Sequence, residues 1–357
     1  MIAQVGPYPP PLGGIAMYIK RIKHALDSLG VKNTVLDTSK TEKHSSDIIR
    51  TKFRFLSVPF YCLFNSNYKL IHYNIPGVFA KYYFALFNLG PLKDRKSVLT
   101  LHGDPKSLFR RNRRLMTFAL NSFNSIICVK QSDKQYLKSC GVLSEIHAIS
   151  PFIPPSLNSF DNKIPDLISA FISKHKPIVV ANASKIVIRQ GIDLYGIDMC
   201  IDLCSKLKND FPDIGFIFCL PQISDNNYFD FLRGQIQKYN ISDNFLFSLK
   251  PVQLHPIIKK CHIFVRPTST DGDSISIREA LHLMIPSIAS DAVQRPIGTI
   301  LFRNRDINDF YSTTKNVLRN FESHKAKLTI LDKEDNFNKL FHLYRQLIPF
   351  IKSASNN

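Results

Sequence analysis

Two carboxylates, Asp271 and Glu279, stand eight positions apart in the segment FVRPTSTDGDSISIREALHLMIPSIASD, residues 264–291. Between them lie Gly272, Asp273 and Ser274, followed by the start of a helical pattern with Glu279 in its first turn. An acidic turn that runs into a helix can accept hydrogen bonds from sugar or ribose hydroxyls. The free amides of the helix start can hold a phosphate or hydroxyl oxygen. Two other readings of the same residues stand beside this one. Ser276 and Glu279 match S-x-x-E, a capping box with glutamate at its third position, which is a purely structural role. Asp271 and Asp273 also match the metal-binding pattern D-x-D, although their place in the second half of the chain, just before a helix, argues against a metal.

Further polar groups bear on the same chemistry. His102 closes the apolar run VLTLH, where an imidazole can hydrogen-bond a ligand hydroxyl, stabilise charge, or serve the fold alone. His72, in IHYN, is read as structural. Lys185 and Arg189 follow the run IVVANAS and are cations that can neutralise a diphosphate, or simply occupy a solvated loop. Gly13 and Gly14 follow a turn stiffened by Pro7, Pro9, Pro10 and Pro11 and open a helical pattern. Glycines there let backbone N–H groups approach a phosphate. The spacing is not G-x-G-x-x-G, so the dinucleotide fingerprint is absent.

The elements that must position these groups alternate in kind. Short Val/Ile-rich runs without polar alternation, as in strands buried on both faces, occur at 2–6, 33–37, 70–74, 98–102, 125–130 and 146–150. Helical patterns such as 14–29 and 133–139 lie between them. The segment PFIPPSLNSFDNKIP, residues 151–165, holds four prolines and reads as a linker. A second series follows, with strands at 178–183, 215–220, 245–249, 263–266 and 287–290 and helices at 199–208, 229–239, 251–260 and 277–284. The tail 335–351 predicts one or two closing helices. This rhythm predicts an α/β protein of two doubly wound domains, 1–160 and 161–333, with 334–357 closing the chain, where it can return to the first. Ligands of such folds bind at the carboxyl ends of the strands, so a central cleft between the two sheets is expected.

Charge narrows the partners. The chain of 357 residues carries a formal +19, and residues 1–150 hold 22 Lys/Arg against 8 Asp/Glu, a balance of +14. A basic half suits an anionic partner, whether nucleic acid, anionic lipid or a phosphorylated substrate. Two stretches mix cations with apolar side chains: Lys52–Phe64 (KFRFLSVPFYCLF) and Phe109–Met116 (FRRNRRLM). The seven cysteines include no CxxC pair and lie mostly in apolar runs, which predicts buried thiols of a cytosolic protein and no zinc site. No apolar run is long enough for a transmembrane helix, and the N-terminus does not read as a secretory signal.

Taken in order, PYPPPLGGIAMY, LHGD, VKQSDKQYLKSCGV, VRPTSTDGDSISIREAL and PSIASD resemble the bacterial glycosyltransferases of family 4, with the GT-B fold of two Rossmann-like domains. The resemblance covers most of the chain, and the block around Asp271 is its specific part. It implies a hexosyl transfer from a UDP- or GDP-linked sugar with retention of anomeric configuration, without metal or cofactor. The acceptor it implies is a saccharide or a lipid-diphosphate-linked sugar, as in surface polysaccharide or lipopolysaccharide synthesis. By resemblance, Gly13 and Gly14 approach the donor phosphates, His102 the transferred sugar, and Lys185 and Arg189 the diphosphate. Asp271, with Gly272, Asp273 and Ser274, meets sugar hydroxyls, and Glu279 binds the ribose.

Two departures stand out. The first acid of the pair is usually Glu and here is Asp271. The Lys-Gly usual after the phosphate-binding Arg is here Gln190-Gly191, with Arg189 one place earlier. A lipid-linked acceptor and the basic half together predict a peripheral protein on the inner face of the cytoplasmic membrane. Competing expectations are a GT-B sugar-nucleotide epimerase, for which no acidic cluster offers acid/base groups, and a basic protein that binds nucleic acid or a membrane surface. No named nucleic-acid motif is visible, so no nucleic-acid partner is expected.

Overall fold

Val/Ile-rich runs of four or five residues need cover on both faces, and in this chain most of them become inner strands of a parallel sheet, while the runs near 146 and 245 form edge strands. The computed structural model describes residues 1–10, 13–39, 46–155, 163–271, 273–331 and 335–349. They fall into two compact units, one of Met1–Ile153 with Glu334–Asn357, the other of Pro154–Lys333. Of the linker segment 151–165, residues 156–162 lie outside the described residues, as do Pro11 and positions 350–351 of the tail.

In unit one the strands are β1 (Ile2–Gly6), β2 (Asn33–Asp37), β3 (Ile48–Arg50), β4 (Leu70–Tyr73), β5 (Lys96–Thr100), β6 (Ser125–Cys128) and β7 (Glu145–Ala148). They form one parallel sheet in the order β3-β2-β1-β4-β5-β6-β7. The chain runs outward from β1 to β3 and then crosses back to add β4 on the other side. The connections leaving β1 and β4 therefore diverge, which opens a crevice at their carboxyl ends.

Helix Gly14–Ser28 covers one face of this sheet with Tyr18, Ile19, Ile22 and Leu26, the spacing of an inward stripe. Helix Asn336–Leu347, from the far end of the chain, buries Leu340, Leu343 and Tyr344 in the same cluster as Tyr18 and Ile22. The Tyr344 hydroxyl lies 2.5 Å from Nδ1 of His72 on β4, whose Nε2 is 2.6 Å from the Thr100 hydroxyl. His72 is thus a fully buried structural group.

In unit two the strands are β8 (Ile178–Asn182), the short hairpin β9 (Ile188–Arg189) and β10 (Ile192–Asp193), β11 (Gly215–Cys219), β12 (Phe245–Ser248), β13 (Ile263–Arg266), β14 (Ser287–Ser290) and β15 (Ile300–Phe302). The main sheet is parallel, in the order β12-β11-β8-β13-β14-β15. Its reversal point lies between β8 and β13, registered as Val179 opposite Ile263 and Val180 opposite Phe264. Two apolar clusters sandwich it, one with Phe216, Phe218, Leu203 and Phe310, the other with Val180, Ile217, Phe264 and Ile277.

Two glycines show how tightly the crevices are built. A Cβ on Gly6, at the end of β1, would lie 2.8 Å from the Asn74 carbonyl oxygen. A Cβ on Gly196, which has a left-handed φ of 67°, would lie 2.5 Å from the Pro267 carbonyl oxygen just beyond β13.

Both sheets are doubly wound α/β layers. Among the strands, those outside the sequence-based expectation are β3 and β15, edge strands of three residues each, and the hairpin β9–β10; the helices Asp166–Lys174, Ile307–Arg319 and Phe321–Leu328 also lie outside it. Two boundaries matter for chemistry. The strand expected to run to His102 ends at Thr100, which puts His102 in the following loop. The helix expected from 277 begins at Ile275.

Candidate active site

In unit two the site begins with Arg266, the last residue of β13. Its Nε donates to Asp271 Oδ2 at 2.5 Å and its Nη2 to Oδ1 at 3.2 Å, while Nη1 reaches the Asn182 side-chain oxygen at 3.2 Å. Asn182 is the last residue of the neighbouring strand β8. Arg295 approaches the same carboxylate from the other side, with Nη1 3.0 Å from Oδ2. Its side chain is only 2% exposed, and it also donates to the Ser290 carbonyl, the Thr268 carbonyl and the Ser274 hydroxyl. Burial alone would raise the Asp271 pKa, but the Arg266 guanidinium beside it, with Ser274 and Arg295, holds it at about 2. Asp271 is therefore a fixed anion that ties the loop to two strand ends.

Ser274 completes that loop. Its hydroxyl donates to Asp271 Oδ2, and it stands at the N-cap of helix Ile275–His282. This corrects the capping-box expectation: Ser276 is the second residue of the helix, not its cap, and Glu279 is the fifth, beyond the first turn. The cause is the short loop, which spends the Ser274 hydroxyl on Asp271 and starts the helix two residues early. Glu279 is buried in the helix. Asp273 is paired with Arg278 Nε at 2.7 Å. Gly272 lies outside the described residues.

Lys185 and Arg189 leave the carboxyl end of β8, next to β13 in the sheet. Arg189 ends β9, and the turn at Gln190 and Gly191 has left-handed φ values of 52° and 74°. That conformation suits a tight two-residue hairpin and explains a glycine after Gln190. Ile186 anchors the hairpin's base in the core, and both cations are exposed to solvent. The sheet thus sends Arg266, Asp271, Glu279, Lys185 and Arg189 out of two adjacent strands at the reversal point.

In unit one the equivalent crevice lies after β1 and β4. Gly13 caps helix Gly14–Ser28, and a Cβ on either glycine would meet nothing within 4 Å, so packing does not demand glycine there. The preceding loop is pinned where the Tyr8 amide donates to Asp37 Oδ1 at 2.9 Å. His102 Nε2 lies 2.9 Å from the side-chain oxygen of Asn74, which follows β4, and its ring packs edge-on against Tyr18 at 5.3 Å. Burial, reinforced by nearby Lys81, lowers its pKa to about 3, so the ring is neutral at pH 7. A neutral ring that donates from Nε2 to an amide oxygen carries its lone pair on Nδ1, a hydrogen-bond acceptor for a hydroxyl. Lys81 is itself buried, donates to the Gly77 carbonyl at 2.8 Å, and has its pKa pushed down to about 8 by burial.

Sequence reasoning missed Arg295, Asn182, Asn74 and Lys81. Arg295 lies 24 positions from Asp271, and only the chain's return after β14 brings the two together. Arg266 was legible as a cation at a strand end, but its bond to Asp271 was not. Among the described residues no three His, Cys, Asp or Glu side chains gather as a metal site requires. All seven cysteines are buried thiols. No helix among the described residues is long and apolar enough to cross a membrane.

Two family models match the sequence: Glycosyltransferase Family 4 over residues 12–157 and Glycosyl transferases group 1 over residues 173–300. Among solved structures the chain is similar to HepE of Anabaena in complex with UDP-glucose, at 15% identity over 98% of both chains with a TM-score of 0.68. It is similar to sucrose-phosphate synthase of Thermosynechococcus elongatus, at 17% identity over 98% of this chain and 99% of that one, TM-score 0.69. The lipopolysaccharide outer core galactosyltransferase WaaB matches at 12% identity over 97% and 99%, TM-score 0.61. No curated protein matches by sequence. At such identities the likeness speaks for the fold. The two family models follow one another along the chain, the first matching mainly unit one and the second lying within unit two, and the chain belongs to the family 4 glycosyltransferases, with the GT-B fold.

Proposed function

We propose that the protein transfers a hexosyl group from a UDP- or GDP-linked donor to a saccharide or lipid-diphosphate-linked acceptor in surface polysaccharide synthesis, with retention and without a metal or cofactor. The observation that carries this reading is the set of groups leaving β8 and β13: exposed Lys185 and Arg189, the ion-held Asp271, and buried Glu279 one turn into the adjoining helix. Lys185 and Arg189 are assigned to the diphosphate, Glu279 to the ribose hydroxyls, and Asp271, Asp273 and Ser274 with Gly272 to the donor sugar. The helix-start amides at Gly13 and Gly14 are assigned to an anionic donor oxygen and His102 Nδ1 to a sugar hydroxyl.

In the proposed reaction the bond from the anomeric carbon to the phosphate oxygen breaks and an oxocarbenium-like centre forms. The acceptor hydroxyl adds on the face the diphosphate leaves, and its proton passes to the departing phosphate oxygen. Negative charge grows on that phosphate, so fixed cations act most strongly there. The neutral ring of His102 neither adds charge nor offers a proton. The basic first unit and a lipid-linked acceptor support a peripheral place on the inner face of the cytoplasmic membrane.

A thermal-shift panel of nucleotide sugars, followed by transfer assays on a lipid-linked acceptor, tests the reading. A UDP- or GDP-sugar should raise the melting temperature. Glu279→Gln, which keeps the side chain's size, should weaken donor binding about 10-fold or more, as expected for losing a hydrogen bond to a charged group. Lys185→Ala should lower kcat about 10²–10³-fold. A preference for oligonucleotides over every nucleotide sugar would overturn the proposal.

A further inference from the structure

Unit one carries a second concavity that the donor chemistry does not use. A cavity of about 850 Å³ lies among Ile49 of β3, the turn Arg54–Ser57, helix Val58–Phe64, Tyr68 and Tyr83. Its walls are almost wholly aromatic and aliphatic, and its size is that of a site for a small molecule.

The cavity opens within a broader apolar face. Phe64 leaves 89% of its surface in solvent, Phe53 72% and Leu86 69%. The face is continuous, because Phe55 meets Phe79 at 6.3 Å and Tyr83 at 6.0 Å between ring centroids, and Phe60 meets Phe87 at 6.0 Å. A patch of large exposed aromatics on one side of a unit marks an interaction surface.

Charge identifies its occupant. Residues 48–96 contain eight Lys/Arg and a single acid, Asp94. Lys52 lines the cavity, and the exposed Arg54 follows Phe53 in the chain, held in a left-handed conformation at φ 52°. An apolar hole with Lys52 on its wall and Arg54 in the adjoining turn matches a molecule with an aliphatic chain and an anionic head. The stems of such cations lie along the apolar part while their heads meet the charge.

We propose that this cavity takes one aliphatic chain of an anionic membrane lipid, with Lys52 and Arg54 at its headgroup and the surrounding aromatic face bedded in the leaflet. The inference deepens the membrane part of the proposed function, and its test is arranged so that the two fail separately.

The chain contains no tryptophan, so Phe60→Trp supplies a sole tryptophan in the cavity wall, excited at wavelengths the tyrosines do not absorb. Vesicles of phosphatidylglycerol brominated along the acyl chain should quench it, and brominated phosphatidylcholine vesicles should not. Adding Ser57→Phe to fill the cavity should abolish the quenching, with Ser57→Leu as the milder plug if the first lowers the melting temperature. Lys52→Gln with Arg54→Gln should weaken partitioning onto anionic vesicles about 25-fold, fivefold for each charge near the surface.

Absence of quenching by the anionic vesicles, or quenching that survives both plugs, overturns the proposal. The nucleotide-sugar thermal shift is read on the same variants. A shift retained without lipid quenching sinks only the lipid site. Quenching without any nucleotide shift sinks only the donor reading.

Discussion

The reversal points of the two sheets have the same topology and different electrostatics. At β1/β4 the groups beyond the strand ends are mostly dipoles, a neutral His102, the Asn74 amide and the helix-start amides at Gly13 and Gly14, with one buried cation, Lys81, held on the Gly77 carbonyl. At β8/β13 they are ions: Arg266 and Arg295 clamp Asp271, with Lys185 and Arg189 exposed on the next strand's connection. The same backbone device carries mostly dipoles in one unit and ions in the other; the proposed function gives the dipoles a sugar hydroxyl and an anionic oxygen, and the ions the diphosphate. A neutral imidazole discriminates little by charge but orients a hydroxyl well. A cluster in which cations outnumber carboxylates leaves positive potential for an incoming diphosphate.

The sharpest way to break this contrast is to unbalance the ionic side. Arg295→Met keeps the aliphatic volume and strands Asp271 with one arginine in a buried place. Removing one partner of a buried ion pair costs about 3–5 kcal/mol. The loss should appear in urea unfolding of unit two, with unit one unaffected. Adding Asp271→Asn should recover part of that cost, because the uncompensated charge disappears. A cost below about 1 kcal/mol for Arg295→Met would mean that the clamp does not hold the loop.

Acid should separate the two units next. His72 and His102 have pKa values lowered to about 3 by burial, against 6.5 in the unfolded chain. Each therefore binds a proton in the unfolded state but not in the folded state between pH 6.5 and 3. Their stabilisation is complete above pH 6.5 and is lost as pH falls through that window, at about 1.4 kcal/mol per pH unit for each ring. Asp271, lowered from 3.8 to about 2, loses its contribution only as pH falls below 3.8. Hydrogen-exchange mass spectrometry between pH 7 and 4 should show β4 and β5 losing protection before β13. The reverse order would mean that the two imidazoles are not buried neutral groups.

How much of this contrast was legible beforehand follows from the range of the forces involved. Most strands of both sheets were readable because burial on both faces dictates Val and Ile locally, as in Ile178–Asn182 and Ile263–Arg266. Edge strand Ile48–Arg50 was not, because half-buried edges carry little compositional demand. Asp271 and Glu279 stood out as acids beside a turn and a helix start. The Ser276 capping box was a misreading, because the Ser274 hydroxyl, drawn to Asp271, sets the helix start. Arg295 was invisible, since its partnership depends on a tertiary return that no local spacing encodes. His102 was legible as a polar group at a strand end, but its neutrality comes from burial that only the packed unit supplies.

The smallest expected effect on stability tests the dipolar side. Gly13→Ala places a methyl where nothing lies within 4 Å, at a φ of −122° that any residue adopts. Alanine is a poorer helix cap than glycine, while the loss of unfolded-state freedom favours it, and the two effects oppose at similar size. Unfolding free energy should therefore change by no more than about 0.5 kcal/mol. Transfer from the donor should nonetheless fall at least about tenfold, because the methyl occupies space an anionic oxygen needs near the helix-start amides. Unchanged activity at unchanged stability would show that no ligand approaches this helix start, and would leave the ionic crevice of unit two to hold the donor phosphates by itself.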